Sequence, residues 1–150
     1  FVGDTPGVHA YDSEHELVSQ TAEVVDQLLR RGFSIDDIVV LTGRGVKRSL
    51  VLKAEYIGSH STRRFSGTYS PRSGLPEWTD GELLVESVYR YKGQAAPAIV
   101  MTEIDFSEWT PLERKKLFVG LTRATMAVEL VMSRDAEICF SSLLQSDAAS

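Results

Sequence analysis

The 150-residue sequence contains a single cysteine, Cys139, so a disulfide within the chain is excluded. One cysteine among so many residues fits a reducing compartment. No apolar run approaches the roughly 20 residues that a membrane-spanning helix needs. The first residues also lack the basic-then-apolar layout of a signal peptide. We therefore expect a cytoplasmic protein with no membrane partner.

An excess of positive charge is missing too, because 16 Lys and Arg face 21 Asp and Glu, for a net charge of -5. A broadly cationic nucleic-acid coat is therefore excluded, and any polynucleotide contact must use local patches.

The phosphate-binding pattern GxxxxGK[ST] is absent. The three histidines have no ligand-like spacing to one another or to Cys139, so no metal site is predicted. The chain begins FVGDTPG, without an initiator methionine, and we expect a fragment of a longer protein.

Helical and strand patterns alternate along the chain. Ser13 and Glu16 form a capping-box pattern ahead of a helix with apolar residues at helical spacing, and Gly32 ends it. The apolar run Ile38–Thr42 is typical of a buried parallel strand. Further strands are predicted at 8–11, 82–91, 98–105 and 127–133, and further helices at 49–56, 111–124 and 136–144. Ahead of the helix at 111–124, Thr110, Pro111 and Glu113 combine an N-cap, a proline at the first helical position and a capping-box glutamate. Residues 58–81, rich in glycine, serine and proline, are predicted to be loop-rich. The alternation predicts one α/β domain with a mostly parallel sheet and helices on both faces.

The run KLFVGLTRATMAVELVMS, from Lys116 to Ser133, places Arg123 between an apolar helix and a buried-looking strand. The planar guanidinium suits phosphate oxygens, and an arginine fixed at such a junction can reach a neighbouring anion. An arginine that only closes a helix C-terminus, where the helix dipole favours a cation, is the alternative.

Upstream, the run VYRYKGQAAPAIVMTEID spans Val88 to Asp105. Gly93 lets the backbone approach a ligand closely, because no Cβ intervenes. Arg90 and Lys92 are candidates for holding phosphates, and Tyr89 or Tyr91 is a candidate for stacking on a base or packing inward. The alternative is a basic turn at a strand end with solvated charges.

Together, in this order, the two runs resemble the last two motifs of UvrD/Rep-type superfamily 1 helicases, roughly H-x-x-KG-L-E and V-A-L-T-R-A. The resemblance implies a three-layer RecA-like fold of the P-loop NTPase type, covering residues 1–150 as the second motor domain. Larger relatives carry an inserted subdomain near residues 58–81. The resemblance also implies ATP and Mg²⁺ as cofactors of the parent protein, with the magnesium ligands on a partner, the N-terminal RecA-like domain of the same polypeptide.

The resemblance further implies roles for individual residues. Arg123 would be catalytic, reaching the γ-phosphate of ATP from the facing domain. Lys92, Gly93, Gln94 and Arg123 would contact the nucleotide, and a single strand, expected to be DNA, would be contacted by Ser87, Tyr89, Arg90 and Lys92. Three residues depart from the family pattern: Ala95 replaces a glutamate that binds the nucleotide sugar, Tyr89 replaces a histidine, and Ser87 replaces a leading threonine. The alternative is therefore a catalytically degenerate domain that serves as a protein or nucleic-acid interaction module. The fragment alone is expected to be inactive as an ATPase.

The sequence offers alternative roles for the other charged clusters. Arg44 and Arg48, in GRGVKRS, belong to a polar turn after a strand or contact a phosphate backbone. Arg63, Arg64 and Arg72, with Phe65 and Tyr69 interleaved, form a single-strand contact or a disordered surface loop. Glu103 and Asp105 are interpreted as a solvated strand end.

Overall fold

The computed structural model describes residues 6–45, 47–91 and 93–149, with side chains described up to residue 143. The strands are β1 (Gly7–Tyr11), β2 (Ile38–Thr42), β3 (Tyr56–Ile57), β4 (His60–Arg63), β5 (Phe65–Tyr69), β6 (Pro76–Trp78), β7 (Leu83–Ser87), β8 (Ala96–Ile104) and β9 (Ala124–Ser133). The α-helices are α1 (Glu14–Arg30), α2 (Pro111–Arg123) and α3 (Arg134–Ala149). Two short 3₁₀ helices lie at Ile35–Asp37 and Val51–Lys53.

Seven strands form the main sheet in the order β1-β9-β8-β2-β7-β4-β3. Every neighbouring pair is parallel except β3 with β4, which is antiparallel. The remaining strands, β5 and β6, pair with each other to form a separate antiparallel ribbon. The parallel arrangement gives the sheet one edge where the strands begin and another where they end.

Alternate residues of β8 point to opposite faces of the sheet, as expected for a strand. Ala98 and Val100 belong to the core cluster that includes Leu17 and Leu28 of α1. Ile99 and Met101 belong to the second cluster, which includes Leu117 of α2 and Ala136 of α3. The sheet therefore lies between two helical layers, and the predicted α/β class with helices on both faces is confirmed.

Local chemistry explains where the helices begin. At α2, the Thr110 hydroxyl oxygen accepts the Glu113 amide at 3.2 Å and Pro111 occupies the first turn, as predicted. At α1, the Glu16 carboxylate accepts the backbone amide of Asp12 at 3.0 Å, whereas the Ser13 side chain makes no cap hydrogen bond. The helix therefore forms as predicted, but the predicted capping box does not, because the Glu16 carboxylate bonds the amide of Asp12 rather than that of Ser13.

Three predicted elements differ from the structure. The helix predicted at 49–56 is wrong, because only a 3₁₀ turn forms at Val51–Lys53 and the Ser49 hydroxyl bonds the distant Glu103. The segment 58–81, predicted to be loop-rich, contains β4, which pairs with β3 and β7 outside the segment, and β5 and β6, which pair with each other. The strand predicted at 82–91 ends at Ser87, where the carbonyl accepts the amides of Arg90 and Tyr91 and the chain turns.

Candidate functional site: the two edges of the parallel sheet

Residues 88–95, here called the crossover, connect the carboxyl end of β7 to the amino end of β8. Both strands run parallel to β2 on its two sides, so the crossover must pass from one edge of the sheet to the other. Val88 and Tyr91 are buried in the core cluster on the α2 side. One short segment therefore carries predicted site residues to both edges of the sheet.

At the amino edge, the end of the crossover lies beside Arg123. Ala96 and Ala124 are directly paired at the starts of β8 and β9, so the residues before them are neighbours. Gly93 adopts a positive φ of 82°, and a Cβ built there would meet nothing within 4 Å. Gln94 is exposed, and its backbone amide donates to the Tyr91 carbonyl at 3.2 Å. Lys92 falls outside the described residues.

Arg123 is the last residue of α2, and its side chain is half-buried. Its Nε atom is buried and has no hydrogen-bond partner within the part of the chain that the structure describes. A buried donor without an acceptor costs about 1–3 kcal/mol, and more when it is charged. Arg123 also lies at the C-terminus of α2, where the helix dipole favours a cation, so the capping alternative fits its position as well. Helix capping does not explain why the buried Nε of Arg123 has no hydrogen-bond partner among the described residues.

At the carboxyl edge, Ser87 and Tyr89 differ in exposure. Ser87 is buried, and its hydroxyl oxygen accepts the Arg90 amide at 3.3 Å, which holds the turn. Tyr89 is 46% exposed, and the Lys116 ammonium lies 5.9 Å from its ring centroid. Tyr89 therefore presents an aromatic surface beside a cation.

Arg90 is held between two neighbours. Its guanidinium carbon lies 4.1 Å from the ring centroid of Phe65 in β5, and its Nε is 3.9 Å from a carboxylate oxygen of Glu86. Glu86 is buried, and burial raises the pKa of its carboxyl. About a third of the Arg90 side chain is exposed. Arg90 thus ties the crossover to the ribbon, while part of its guanidinium still faces outward.

A cavity of about 280 Å³ opens at the carboxyl edge, between the ends of β2 and β8. Its walls carry aromatic, cationic and acidic side chains, including Tyr89, Arg48, Lys116, Asp105 and Phe106. The chain leaves β2 towards β3 on one side of the sheet and leaves β8 towards β9 on the other side, so the direction of the connections reverses between β2 and β8. Ligands of open α/β sheets bind outside the carboxyl ends of strands at such a reversal.

Arg44 forms a cluster beside this cavity that the sequence did not predict. Its guanidinium donates to carboxylate oxygens of Glu14 at 2.6 Å, Asp105 at 2.8 Å and Glu103 at 3.0 Å. The hydrogen bond from Arg44 lowers the pKa of the Glu14 carboxyl. These contacts use the donors of Arg44, and the phosphate contact considered for it finds no support. The partners lie 30 to 61 residues away in sequence, so no local pattern signals the cluster.

Glu103 anchors the cluster from the end of β8. It is 1% exposed, so its interpretation as part of a solvated strand end is wrong. Its carboxylate also accepts the Ser49 hydroxyl at 2.5 Å and the Leu50 amide at 2.8 Å. Its backbone has a φ of 60°, in the left-handed region that side-chain-bearing residues rarely adopt. These bonds fix the polar turn after β2 against β8.

Within the described residues, no group of three or more His, Cys, Asp or Glu side chains is arranged to hold a metal ion. Of the acidic residues that line the cavity, Glu103 and Asp105 are paired with Arg44, and Glu113 is paired with Lys116. None of the helices in the described ranges is both long and apolar enough to cross a membrane.

Two comparisons with known proteins find similarities to this chain. Residues 82–131 match the family described as the UvrD-like helicase C-terminal domain. Among solved structures, the fold is similar to the crystal structure of the C-terminal domain of a possible DNA helicase from Lactobacillus plantarum WCFS1. That match has a TM-score of 0.57 and 18% sequence identity, and it covers 87% of this chain and 75% of the other. No curated protein matches the sequence. The resemblance drawn from the two motifs is thus confirmed over residues 82–131, which are similar to the UvrD-like helicase C-terminal domain.

Proposed function

We propose that this chain is the second motor domain of an ATP-dependent superfamily 1 helicase or translocase. Its amino edge contacts ATP bound, with Mg²⁺, by an N-terminal RecA-like domain of the same polypeptide. Its carboxyl edge forms part of the track for single-stranded DNA. The single observation that carries the proposal is the crossover, which joins the candidate residues of both edges within eight residues.

Arg123 is the catalytic candidate at the amino edge. Its Nε has no hydrogen-bond partner among the described residues and lies beside the exposed, glycine-containing end of the crossover. This supports the proposal that its acceptor comes from outside this domain. A γ-phosphate offers such acceptors, and an arginine finger stabilises the charge that develops during phosphoryl transfer. Gly93 and Gln94 offer backbone and amide groups to the same nucleotide, and Lys92 is assigned to it by the motif alone.

Tyr89 is the leading candidate for DNA contact at the carboxyl edge. Its exposed ring is suited to stacking on a base, and Lys116 and Arg48 supply positive charge along the cavity wall. Ser87 shapes the turn that presents Tyr89, and Arg90 contributes its exposed part. Because the chain is acidic as a whole, this contact is expected to be weak and sensitive to salt.

One observation favours a second candidate function, a degenerate interaction module. Ala95 stands where the family motif carries a sugar-binding glutamate, and it lies exposed next to Arg123. An alanine cannot accept hydrogen bonds from ribose hydroxyls. In this case the parent protein would bind its partners without hydrolysing ATP.

ATP turnover by the parent protein tests the proposal through Arg123→Ala. We expect DNA-stimulated turnover to fall at least about a hundredfold, in line with the contribution of arginine fingers. ATP binding should weaken less than turnover, because the finger acts mainly on the transition state. Arg123→Lys should restore little activity, since an ammonium lacks the planar fork of donors.

Arg114→Ala is the matched control, because Arg114 is an exposed arginine on the same helix near its opposite end. Its turnover should equal that of the wild type. Wild-type turnover by Arg123→Ala would remove Arg123 from catalysis. A wild-type parent protein with no ATPase activity would favour the degenerate module instead.

A further inference from the structure

The ribbon of β5 and β6 carries a cluster of aromatic side chains outside both hydrophobic cores. The Phe65 ring centroid lies 5.3 Å from that of Tyr69 and 6.4 Å from that of Trp78, both in edge-on arrangements. Gly67, with a φ of 91°, lies at the irregular step in the pairing between Phe65 and Tyr69. Tyr69 is 59% exposed. The ribbon therefore holds an aromatic surface open to solvent.

Polar contacts define a second face of the ribbon. The Ser66 and Thr68 hydroxyls are 2.8 Å apart, and Thr68 donates to the Glu77 carboxylate at 3.3 Å. The acidic group of β6 is thereby engaged with the hydroxyl face, away from the aromatic cluster. Successive side chains of a strand point to opposite faces, which accounts for this separation.

Positive charge surrounds the aromatic cluster. Arg63 and Arg72 are exposed at the base of the ribbon and in its turn, and Arg90 lies on the Phe65 ring. No acidic residue occurs between Gly58 and Pro76. Exposed aromatic rings flanked by arginines are the combination that single-stranded nucleic acids recognise, since bases stack on the rings and phosphates meet the cations.

The ribbon also adjoins the proposed DNA track. It continues from the carboxyl end of β4, a strand parallel to β7. The contact of Arg90 with Phe65 joins it to the turn that presents Tyr89. We infer that the ribbon is a second contact for single-stranded nucleic acid, with Tyr69 and Trp78 as stacking residues. The inference rests on the proposed function, because it extends the same strand beyond the carboxyl edge.

Fluorescence anisotropy with a labelled 20-nucleotide oligo(dT) at low salt tests the inference on the purified chain. We expect Tyr69→Ala to weaken binding about tenfold, within the range measured for loss of one stacked base. Tyr69→Phe should bind like the wild type, since it keeps the ring. Tyr56→Ala is the matched control, because Tyr56 is a similarly exposed tyrosine, at 61%, on the edge strand β3. It should also bind like the wild type.

Tryptophan fluorescence provides a second, independent measurement. In a Trp109→Phe variant, Trp78 is the remaining tryptophan of the sequence, and oligo(dT) should quench its emission. An unquenched Trp78, or unchanged affinity in Tyr69→Ala, would overturn the inference. A Tyr69→Ala variant whose melting temperature falls while its affinity for oligo(dT) stays the same would also overturn the inference, because Tyr69 would then have a structural role.

The variant Tyr89→Ala distinguishes failure of the ribbon inference from failure of the proposed function. If Tyr89→Ala weakens binding and Tyr69→Ala does not, the track at the carboxyl edge stands and the ribbon contact fails. If the wild-type chain does not bind oligo(dT) even at low salt, both fail.

Discussion

Replacing Arg44 by alanine should destabilise the domain strongly, although the residue lies in a turn. The Arg44 side chain is only 9% exposed, and its three carboxylate partners differ widely in burial. Glu14 and Asp105 are 57% and 38% exposed, so solvent screens their attraction and their contribution is small. The Glu103 side chain is fully buried, and this pair determines the effect.

The magnitude follows from leaving the Glu103 carboxylate without its cation. Breaking a buried pair by removing one partner costs about 3–5 kcal/mol. Glu103 keeps its bonds from Ser49 and Leu50, which places the expected loss near the lower end, at about 3 kcal/mol. For a domain of this size, that loss lowers the melting temperature by about 6–12 °C.

Thermal unfolding followed by circular dichroism at pH 7 measures the effect, with Arg134→Ala as the control. Arg134 also contacts two carboxylates, those of Asp12 and Glu137, but half of its side chain is exposed. Its removal should leave the melting temperature nearly unchanged. Combining Arg44→Ala with Glu103→Gln should cost less than the two separate losses added together, because the pair is coupled. Equal melting temperatures for the two arginine variants would refute the reasoning.

Two further predictions concern buried polar groups. The Tyr11 hydroxyl is buried and has no hydrogen-bond partner in the described part of the chain, so Tyr11→Phe should raise the free energy of unfolding by about 1 kcal/mol, as measured by urea denaturation; a loss of stability would show that the hydroxyl is satisfied. Burial raises the pKa of Glu86 above the 4.5 of an exposed glutamate, so its contribution to stability is present below about pH 4.5 and is lost as the pH rises through the folded-state pKa. Glu86→Gln should therefore stabilise the chain at pH 7 but not at pH 4, and an equal effect at both pH values in the same assay would contradict this sign.

Local patterns predicted the elements whose formation depends on residues close in sequence. The apolar spacing of α1, the continuous β-branched run of β2 and the Thr110 cap of α2 each correspond to an observed element. The sequence also placed Arg123 correctly, at the end of a helix and just before a buried strand. These features depend on contacts within a few residues, which the sequence displays directly.

Long-range contacts decided the elements that the sequence did not predict. The residues after Ser49 have helical composition, yet bonds to Glu103, more than fifty residues away, hold them in a tight turn. In the glycine- and serine-rich segment 58–81, β4 is a strand because the distant β7 supplies its parallel partner. The Arg44 cluster joins three separate parts of the chain. No local propensity could have predicted these arrangements, since each depends on where the sheet brings distant residues together.

The crossover has the structure needed to transmit a displacement between the edges of the sheet. The backbone of the crossover is held by hydrogen bonds. Four of its amides donate to backbone carbonyls, namely the amides of Val88, Arg90, Tyr91 and Gln94. Tyr91 lies near its middle and is 3% exposed, packed in the core on the α2 side. A movement of Tyr89 on binding a base must therefore either rotate the turn at Ser87 or displace Tyr91. Gly93 is the conformationally permissive position beyond that anchor, immediately before the residues that face Arg123. Coupling between nucleic acid and nucleotide in this domain is thus expected to depend on the packing of Tyr91 as much as on the residues that touch either ligand.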